Sequence, residues 1–215
     1  VPAQNLVALP DSLSYEQGAA IPITYGTAHR MLFQRGRLAA GETMLVLGAS
    51  GGVGIACVQF GKMIGATIIA AAGSTEKCEK LTALGADHTI NYSEENFSAA
   101  TWKISGKKGV DVVVNFTGGD TWAPCLRAAK PGGRILTCGA TAGHTPETDL
   151  RYIWVRELDV LGSNSYSQED VAKSVAYAAE GKITPVISDV LPLERTGEAE
   201  RLMEDRNFFG KIIVC

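Results

Sequence analysis

The segment TMLVLGASGGVG, residues 43–54, decides the fold of this chain. Its first part, Met44–Leu47, is apolar and β-like, and the residues after Gly54 have the spacing of a helix. Between them lies a cluster of glycines: Gly48, Gly51, Gly52 and Gly54. Glycine lets a backbone approach a pyrophosphate closely, and the free N–H groups and dipole of a helix N-terminus favour negative charge. The segment therefore predicts a binding loop for a nicotinamide dinucleotide.

The spacing of the glycines supports this interpretation. Residues 49–54 read A-S-G-G-V-G, which is the pattern G-x-G-x-x-G with Ala49 in the first place. Such a match is weak when it stands alone, because structural turns also collect glycines. Here it follows a predicted strand and opens a predicted helix, which is the context that the dinucleotide-binding pattern requires.

Strand and helix patterns alternate along most of the chain. The predicted strands are Met44–Leu47, Thr67–Ala72, His88–Asn91, Asp111–Asn115, Arg134–Cys138 and Leu158–Gly162. Several of them are apolar along their whole length, as expected for parallel strands covered on both faces. With right-handed crossovers, the pattern predicts an α/β fold with a doubly wound parallel six-stranded sheet in the order 3-2-1-4-5-6.

The two ends of the chain do not fit this alternation. Val1–Pro10 is predicted as a short strand, followed by a brief helix containing Tyr15–Ala19 and a second helix with Pro22 in its first turn. The later predicted segments are a helix at 168–180, an extended stretch, a helix at 194–205 and a strand at 211–214. We expect the terminal strands to pair with another domain, or with each other in its absence.

Composition excludes several classes of protein. The net charge is −3, so the basic surface that nucleic-acid binding usually needs is missing. The chain contains no apolar run long enough to span a bilayer, and its first residues show no pattern of a secretory signal. The five cysteines are scattered and form no CxxC motif, which favours small buried thiols in a reducing compartment. We therefore expect a cytoplasmic protein without nucleic-acid or membrane partners.

The end of the second predicted strand indicates which nicotinamide cofactor is bound. An NAD site usually places Asp or Glu about 20 residues past the glycine motif, where the carboxylate accepts from the ribose. Here Ala72 is followed by Gly73-Ser74-Thr75-Glu76-Lys77, with no acid at the strand end. Hydroxyls and a lysine suit a 2′-phosphate, so we predict NADP(H). The alternative is that Ser74 or Thr75 only caps a helix and Lys77 is solvated, and Glu76 is an acid that argues against NADP(H).

Two further strand ends lie where open α/β sheets bind ligands. Thr117, with the glycines after it, follows the fourth strand and is expected near the adenine or ribose. Gly139 and Ala140 follow the fifth strand and are expected near the nicotinamide. The alternative for both is an ordinary turn. The three histidines show no metal-binding spacing.

The chain resembles the medium-chain dehydrogenase/reductase superfamily, in its quinone oxidoreductase and zinc-binding alcohol dehydrogenase branch. The phrases that carry the resemblance are LPDSLSYEQGAAIPITYGTA (9–28), GETMLVLGASGGVG (41–54), LGADHTINY (84–92), PGGRILTCGATAG (131–143), RELDVLGS (156–163) and FGKIIV (209–214). The resemblance implies two-domain oxidoreductases in which a Rossmann domain follows a catalytic, GroES-like domain. It assigns residues 1–20 to a remnant of the catalytic domain and a linker, 21–185 to the Rossmann NADP(H)-binding domain, and 186–215 to a segment that returns to the catalytic domain.

The resemblance also assigns the cofactor site. It implies that Ser50, Gly51, Gly52 and Val53 hold the pyrophosphate. It implies a 2′-phosphate pocket made of Gly73, Ser74, Lys77 and Tyr92. The residues implied to line the rest of the cofactor groove are Thr24, Thr117, Gly139, Ala140 and Ser163, with Arg206 and Lys211 as further candidates. It assigns no catalytic residue to this chain.

One departure from the family pattern bears on zinc. Zinc alcohol dehydrogenases place a cysteine ligand six residues before the tyrosine that matches Tyr25, and this chain has Ala19 there. A thiolate is needed to complete that tetrahedral site. The resemblance therefore favours the zinc-independent reductases, and we predict no metal ligands in this chain.

The predicted function is hydride transfer from NADPH to a quinone, an activated alkene or a carbonyl or alcohol substrate. Since no proton donor can be named, we expect these 215 residues to bind NADPH but to be inactive alone. The alternatives are a non-catalytic NADP(H)-binding module, a zinc-dependent alcohol dehydrogenase and a methyltransferase. The last normally needs an acid at the end of the second strand, which Ala72-Gly73 does not supply. We also expect a homodimer through the edge strand 158–162, because unprotected sheet edges pair.

Overall fold

The computed structural model describes residues 1–215, apart from the side chain of Gln4. The strands are β1 (Thr43–Leu47), β2 (Thr67–Ala72), β3 (His88–Asn91), β4 (Val110–Val114), β5 (Ala129–Thr137), β6 (Asp159–Gly162), β7 (Ile187–Leu191) and β8 (Lys211–Val214). The α-helices are α1 (Tyr15–His29), α2 (Gly52–Met63), α3 (Thr75–Ala83), α4 (Phe97–Ile104), α5 (Trp122–Ala128), α6 (Leu150–Val155), α7 (Gln168–Ala179) and α8 (Thr196–Glu204).

The main sheet has six parallel strands in the order β3-β2-β1-β4-β5-β6. This confirms the predicted topology and places β6 at an edge. The largest difference in a strand boundary is at β5, which begins at Ala129 rather than Arg134, while the other boundaries differ by at most one residue. Ala129 already pairs with Val110, and the register shifts before Val112 pairs with Arg134. The Pro-Gly-Gly sequence is therefore an irregularity inside the strand, and not a break before it.

The sheet is buried on both faces. Met44 and Val46 of β1 point into a core shared with α1 and α2, while Leu45 and Leu47 point into a core shared with α4 and α5. All four side chains are at most 2% exposed. Because both faces are covered by helices, ligands have access to the sheet only at its ends, where the connecting loops lie.

The prediction of a strand at Val1–Pro10 is wrong. The structure has a 3-10 turn at Ala3–Asn5, and the backbone at Leu6 is extended without joining a sheet. The Leu6 carbonyl accepts a hydrogen bond from the Gln168 side chain at 2.8 Å. A strand needs a partner for its backbone groups, and among the described residues this segment has no partner strand.

The prediction of two helices around Pro22 is also wrong. A single helix, α1, begins at a capping box made by Ser14 and Gln17 and runs through Pro22. It then continues as a π-helical turn at Arg30–Arg35. Proline removes one hydrogen bond inside a helix. Burial of the following residues, Tyr25 among them, against α2 and α7 offsets that loss.

The C-terminal segment forms a second, smaller sheet. β8 pairs in parallel with β7, and not with the first ten residues, so the expected pairing of the two chain ends is not seen. The segment also contacts the main domain, since the Gly210 N–H donates to the carbonyl of Ser50 at 3.0 Å. The division at residues 1–20, 21–185 and 186–215 stays a prediction.

A buried carboxylate joins α1 to α7. The side chain of Asp170 is 0% exposed, and its oxygens accept from the Gln34 amide at 2.7 Å and the Ser167 hydroxyl at 2.6 Å. His29 Nδ1 lies 2.7 Å from the same carboxylate, and His29 is itself buried, as its place in an apolar stripe predicts. Burial alone would raise the pKa of Asp170, but hydrogen bonds from Ser167 and His29 outweigh it and hold that pKa below its usual range.

We expect Asp170→Asn to lower the free energy of unfolding by about 3 kcal/mol at neutral pH, because it breaks a buried, fully hydrogen-bonded charge cluster. The folded-state pKa of Asp170 is depressed, so its contribution is present above the unfolded pKa and is lost as the pH falls through the folded pKa. The difference between wild type and variant should shrink below about pH 4.

Urea unfolding at several pH values measures this difference. Glu169→Gln is the matched control, since Glu169 makes only an exposed pair with Lys173 and should change the free energy of unfolding by less than about 0.5 kcal/mol. Equal losses in the two variants would contradict the assignment.

Candidate functional site

The candidate site lies at the carboxyl ends of the parallel strands, where the loops after β1, β2, β3, β4, β5 and β6 gather. The cofactor-binding positions predicted after a strand are in these loops or in the first turn of the helix that follows, as Gly52 and Val53 of α2 and Lys77 of α3 are. Thr24 comes from α1 instead, and Lys211 from the C-terminal segment. The sheet topology thus brings together residues that are far apart in sequence.

The glycine loop connects β1 directly to α2. Gly48 has a φ of +63°, a conformation that favours glycine, and its carbonyl accepts from the Gly51 N–H at 3.1 Å. Gly54 packs against the same turn, because a methyl group there would overlap the Gly48 carbonyl oxygen. The loop therefore takes this shape only when these positions carry no side chain.

The N-terminus of α2 carries free hydrogen-bond donors. Gly51 is its N-cap and has no side chain to cap the helix, and the first helical bond runs from the Ile55 N–H to the Gly51 carbonyl at 2.9 Å. Among the described residues, the N–H groups of Gly52, Val53 and Gly54 have no hydrogen-bond partner. Three free donors at the positive end of a helix dipole form a site for an anion.

Two distant elements contact this loop at Gly52. The Thr24 hydroxyl donates to the Ala20 carbonyl at 2.6 Å, and its methyl carbon lies 2.5 Å from the place where a Gly52 side chain would begin. The Lys211 side chain lies 3.1 Å from the same place. Thr24 and Lys211 therefore adjoin the glycine loop.

The loops after β2 and β3 lie next to each other. A methyl group on Gly73 would lie 3.1 Å from the Tyr92 hydroxyl oxygen, so these two residues are neighbours. Ser74 is the N-cap of α3, and its hydroxyl accepts from the Lys77 N–H at 3.3 Å. The capping role that we kept as an alternative for Ser74 is therefore present in the structure.

The Lys77 side chain contacts the C-terminal segment. Its ammonium group donates to the Arg206 carbonyl at 2.6 Å and lies 5.8 Å from the centre of the Phe208 ring. Burial lowers the pKa of Lys77, although Glu76 acts in the opposite direction. The Glu76 carboxylate itself is exposed and pairs with Lys80 at 2.7 Å. Glu76, the acid that argues against NADP(H), is thus paired with Lys80 on the exposed face of α3.

The loops after β4 and β5 pack against each other. The Ala142 N–H donates to the Thr117 carbonyl at 2.7 Å, and a methyl group on Gly48 would lie 3.4 Å from the Thr117 hydroxyl. Thr117 is therefore beside the glycine loop, while Gly139 and Ala140 are exposed and Ala140 lies against Gly118.

Sequence reasoning missed the buried Asn115. Its side-chain oxygen accepts from the N–H groups of Thr117 and Gly118 at 2.9 and 3.0 Å, so it shapes the turn that carries Thr117. Asparagine at the end of a β-branched strand was the signal available.

Ser163 follows β6 and is buried. Its N–H donates to the Thr137 carbonyl at 2.8 Å, but among the described residues its hydroxyl has no hydrogen-bond partner. An unpaired buried hydroxyl costs free energy unless a ligand or water satisfies it. That Ser163 lines the cofactor groove stays a prediction.

Other chemistry is poorly supported in this structure. Burial raises the pKa of the Cys138 thiol to about 11, which leaves little thiolate near neutral pH. Within the described residues, no group of three or more His, Cys, Asp or Glu side chains could hold a metal ion. The same residues contain no helix long and apolar enough to cross a membrane.

One cavity lies elsewhere on the surface. It has a volume of about 530 Å³ and lies among residues of α4, α5 and α6 and the turn after α6, including Trp102, Arg127 and Arg156. It contains none of the strand-end residues described above, so it is separate from the candidate site.

Known proteins match this chain over nearly its whole length. The family model described as "Zinc-binding dehydrogenase" matches residues 52–180. Quinone oxidoreductase-like protein 2 of Bos taurus is 32% identical over 221 residues, covering 98% of this chain and 63% of that protein. The chain thus spans less than two thirds of this relative.

Two solved structures share the fold. An NAD-dependent alcohol dehydrogenase has a TM-score of 0.95 and 37% identity, covering 100% of this chain and 62% of that one. A 2-octenoyl-CoA carboxylase reductase in complex with NADP and 2-octenoyl-CoA has a TM-score of 0.91 and 28% identity, covering 97% and 51%.

We expect Gly52→Ala to lower the free energy of unfolding by about 1–3 kcal/mol, because the added methyl group would press on the Thr24 methyl carbon. Thr24→Ser removes that carbon and keeps the hydroxyl bonded to Ala20. The double variant should therefore lose less stability than the sum of the single losses, as urea unfolding would show.

Gly51→Ala is the matched control for this cycle. A methyl group there would lie 3.5 Å from its nearest neighbour, and Gly51 has a negative φ. It should cost less than Gly52→Ala, and strictly additive losses in the double variant would show that Thr24 does not press on the loop.

Proposed function

Because the chain belongs to the zinc-binding dehydrogenase family of the medium-chain dehydrogenase/reductase superfamily, we propose that it is the NADP(H)-binding part of an oxidoreductase. The proposed reaction is hydride transfer between NADPH and a quinone, an activated alkene or a carbonyl or alcohol substrate. The observation that carries the proposal is the set of free N–H groups at the start of α2, next to a β2 end without an acid.

The residues present fit such a cofactor. Gly52 and Val53 would donate their N–H groups to the pyrophosphate, and Gly54 keeps the turn narrow enough for them to converge. Thr117 would flank the groove near the adenine or ribose, and the exposed backbone of Gly139 and Ala140 would flank it near the nicotinamide. The cofactor, when bound, supplies the hydride, and this chain binds and orients it.

The proposed preference for NADP(H) rests on the adenosine end. Lys77, which bonds to the Arg206 carbonyl, and Tyr92, which lies beside Gly73, follow strands β2 and β3, and the end of β2 at Ala72 offers no carboxylate to a ribose. A partly buried ammonium group is a strong partner for a phosphate, since charge-assisted hydrogen bonds strengthen away from water. The similar structures include both an NAD-dependent and an NADP-bound protein, so the preference has to come from these residues.

We propose that residues outside this chain complete the catalytic machinery. The similar proteins are longer than this chain, and no side chain described above stands out as a proton donor. The separate β7–β8 sheet suits the predicted return of residues 186–215 to a second domain. With Ala19 in place of a cysteine and no described metal cluster, we derive no step through zinc.

Two other functions compete with this proposal. A non-catalytic NADP(H)-binding module would use the same loop and pocket, and a zinc-dependent alcohol dehydrogenase would need ligands from elsewhere. The 2-octenoyl-CoA bound in one similar structure makes an activated alkene a concrete candidate substrate class. We further propose a homodimer through the edge strand 158–162, which the sheet order places at a free edge.

We expect NADPH to bind more tightly than NADH, and Lys77→Ala to weaken NADPH binding about tenfold or more while changing NADH binding little. The physical reason is the loss of one charge-assisted hydrogen bond to the 2′-phosphate. Titration of cofactor fluorescence measures both dissociation constants.

Lys80→Ala is the control for the charge itself. Lys80 is on the same helix but pairs with Glu76 on its exposed face, so its removal should change NADPH affinity less than removal of Lys77. Tighter binding of NADH than NADPH by the wild-type chain would overturn the cofactor preference.

We expect the 215-residue chain to bind NADPH without measurable turnover of quinones or enoyl-CoA substrates, because the groups that would hold the substrate and donate a proton are assigned to the second domain. The measurement is NADPH oxidation followed by absorbance with each substrate class. Steady-state turnover by this chain would refute the proposal that residues outside it complete the catalytic site. It would not contradict the proposal that the chain binds NADPH.

A further inference from the structure

The cavity between α4, α5 and α6 carries positive charge that no acid in its lining compensates. It is lined by the first turn of α4 and by Trp102, Arg127, Tyr152 and Arg156, and we call it the α4–α6 cavity. Its lining contains two arginines and no acid, although the chain as a whole has a net charge of −3. With a volume of about 530 Å³, it has the size of a small-molecule site.

The guanidinium group of Arg156 is fixed in the wall of this cavity. Its Nη1 donates to the carbonyls of Arg127 and Ala129 at 2.9 and 2.8 Å. Its central carbon lies 5.9 Å from the centre of the Trp102 ring and 5.5 Å from that of the Tyr152 ring, within the range of cation–π contacts. Among the described residues, its Nε and Nη2 have no hydrogen-bond partner. These two nitrogens form an edge that can bind a carboxylate or phosphate with two parallel hydrogen bonds.

Arg127 supplies a second guanidinium group to the cavity. Its side chain is half-buried, and within the described part of the chain it makes no hydrogen bond and no ion pair. Only its backbone carbonyl has a partner, which is Arg156. A charge that is partly removed from water without a partner costs free energy, and an anion in the cavity would offset that cost.

The first turn of α4 adds further donors. Asn96 is the N-cap, and its side-chain oxygen accepts from the Ala99 N–H at 3.0 Å. The N–H groups of Phe97 and Ser98 have no partner among the described residues, because first-turn N–H groups cannot bond within the helix. Ser98 lines the cavity and is only 7% exposed, and within the same residues its hydroxyl makes no hydrogen bond. A helix N-terminus favours negative charge, and a polar ligand would satisfy the buried hydroxyl.

The same cavity offers an aromatic surface beside these charges. Trp102 is 36% exposed and Tyr152 is half-buried, so part of each ring is uncovered. A flat ring that packs against them would remove apolar area from water next to the guanidinium groups. An inorganic anion would leave that area exposed, so the lining favours an anion that carries a ring.

We propose that the α4–α6 cavity binds a small aromatic anion, in which a carboxylate or a phosphate group is attached to a flat ring. The charged group binds Arg127 and the free edge of Arg156, and the ring packs against Trp102. These three residues lie outside the strand-end loops that form the proposed cofactor site. The inference therefore goes beyond the proposed function and does not depend on it.

Isothermal titration calorimetry of the chain with matched probes tests this proposal. We expect benzoate or phenyl phosphate to bind saturably, about tenfold more tightly than acetate or inorganic phosphate, which have the charged group without the ring. Benzyl alcohol, which has the ring without the charge, should bind more weakly than either aromatic anion. The tighter of the two aromatic probes identifies the charged group that the cavity prefers.

Two pairs of variants assign the binding to this cavity. Arg127→Ala should weaken binding of the tighter probe about tenfold, because it removes charge-assisted hydrogen bonds. Lys103→Ala is its control, since Lys103 is an exposed charge on α4 that does not line the cavity. Trp102→Leu should weaken the same binding severalfold, whereas Trp154→Leu, on the exposed face of α6, should leave it unchanged.

Several results would overturn the proposal. They are no saturable binding of either aromatic probe at millimolar concentration, equal affinity for a probe and its charged group alone, or equal effects of Arg127→Ala and Lys103→Ala. Displacement of the probe by NADPH would also overturn it, because the probe would then occupy the cofactor groove. Thermal unfolding by circular dichroism checks that each variant is folded. NADPH titration is a separate measurement, so a failed cavity assignment and a failed cofactor assignment give different outcomes.

Discussion

The close approach of Gly54 to the Gly48 carbonyl is the contact on which the rest of the structure depends. It joins the central strand β1 to α2 with no room for a side chain, so α2 starts at the carboxyl edge of the sheet with its first N–H groups free. Once that turn is fixed, the crossover to β2 and the packing of α1 over Gly52 follow from covering the two apolar faces of the sheet. Both the folding of the β1–α2 turn and the proposed cofactor binding therefore depend on Gly48 and Gly54.

The sheet was predictable because its signals are local. Apolar runs such as Leu45–Leu47 and Val112–Val114 can be buried only in a sheet covered on both faces, and the handedness of the crossovers restricts their order. The same logic locates the phosphate loop and Thr117, since both directly follow strands. Chain ends are different: an extended segment such as Val1–Pro10 becomes a strand only if a partner is present, and sequence pattern alone does not supply the partner.

Contacts between distant residues account for what the sequence did not predict. The sequence around Pro22 does not show that α1 continues past this proline, because the burial of Tyr25 that stabilises the helix depends on other elements. Asp170 reads as a helix-capping residue, yet it also joins α7 to His29 and Gln34. Ser74 and Lys77 were predicted as phosphate-binding residues from the hydroxyl of the one and the charge of the other. The structure adds that the Lys77 ammonium group donates a hydrogen bond to the backbone carbonyl of Arg206, which is distant in sequence. Contacts of this kind depend on the tertiary structure, so local sequence patterns do not predict them.

The C-terminal segment connects the two ends of the groove. Gly210 bonds to Ser50 of the phosphate loop, and the carbonyl of Arg206 holds Lys77 at the adenosine end. An ammonium group has three donors, so Lys77 can bind a phosphate while it keeps its bond to the Arg206 carbonyl. A cofactor bound at Lys77 would then be linked through Arg206 to the strand that follows, Lys211–Val214, which belongs to the smaller sheet. If that sheet joins a second domain, Lys77 would connect the proposed cofactor site to that domain.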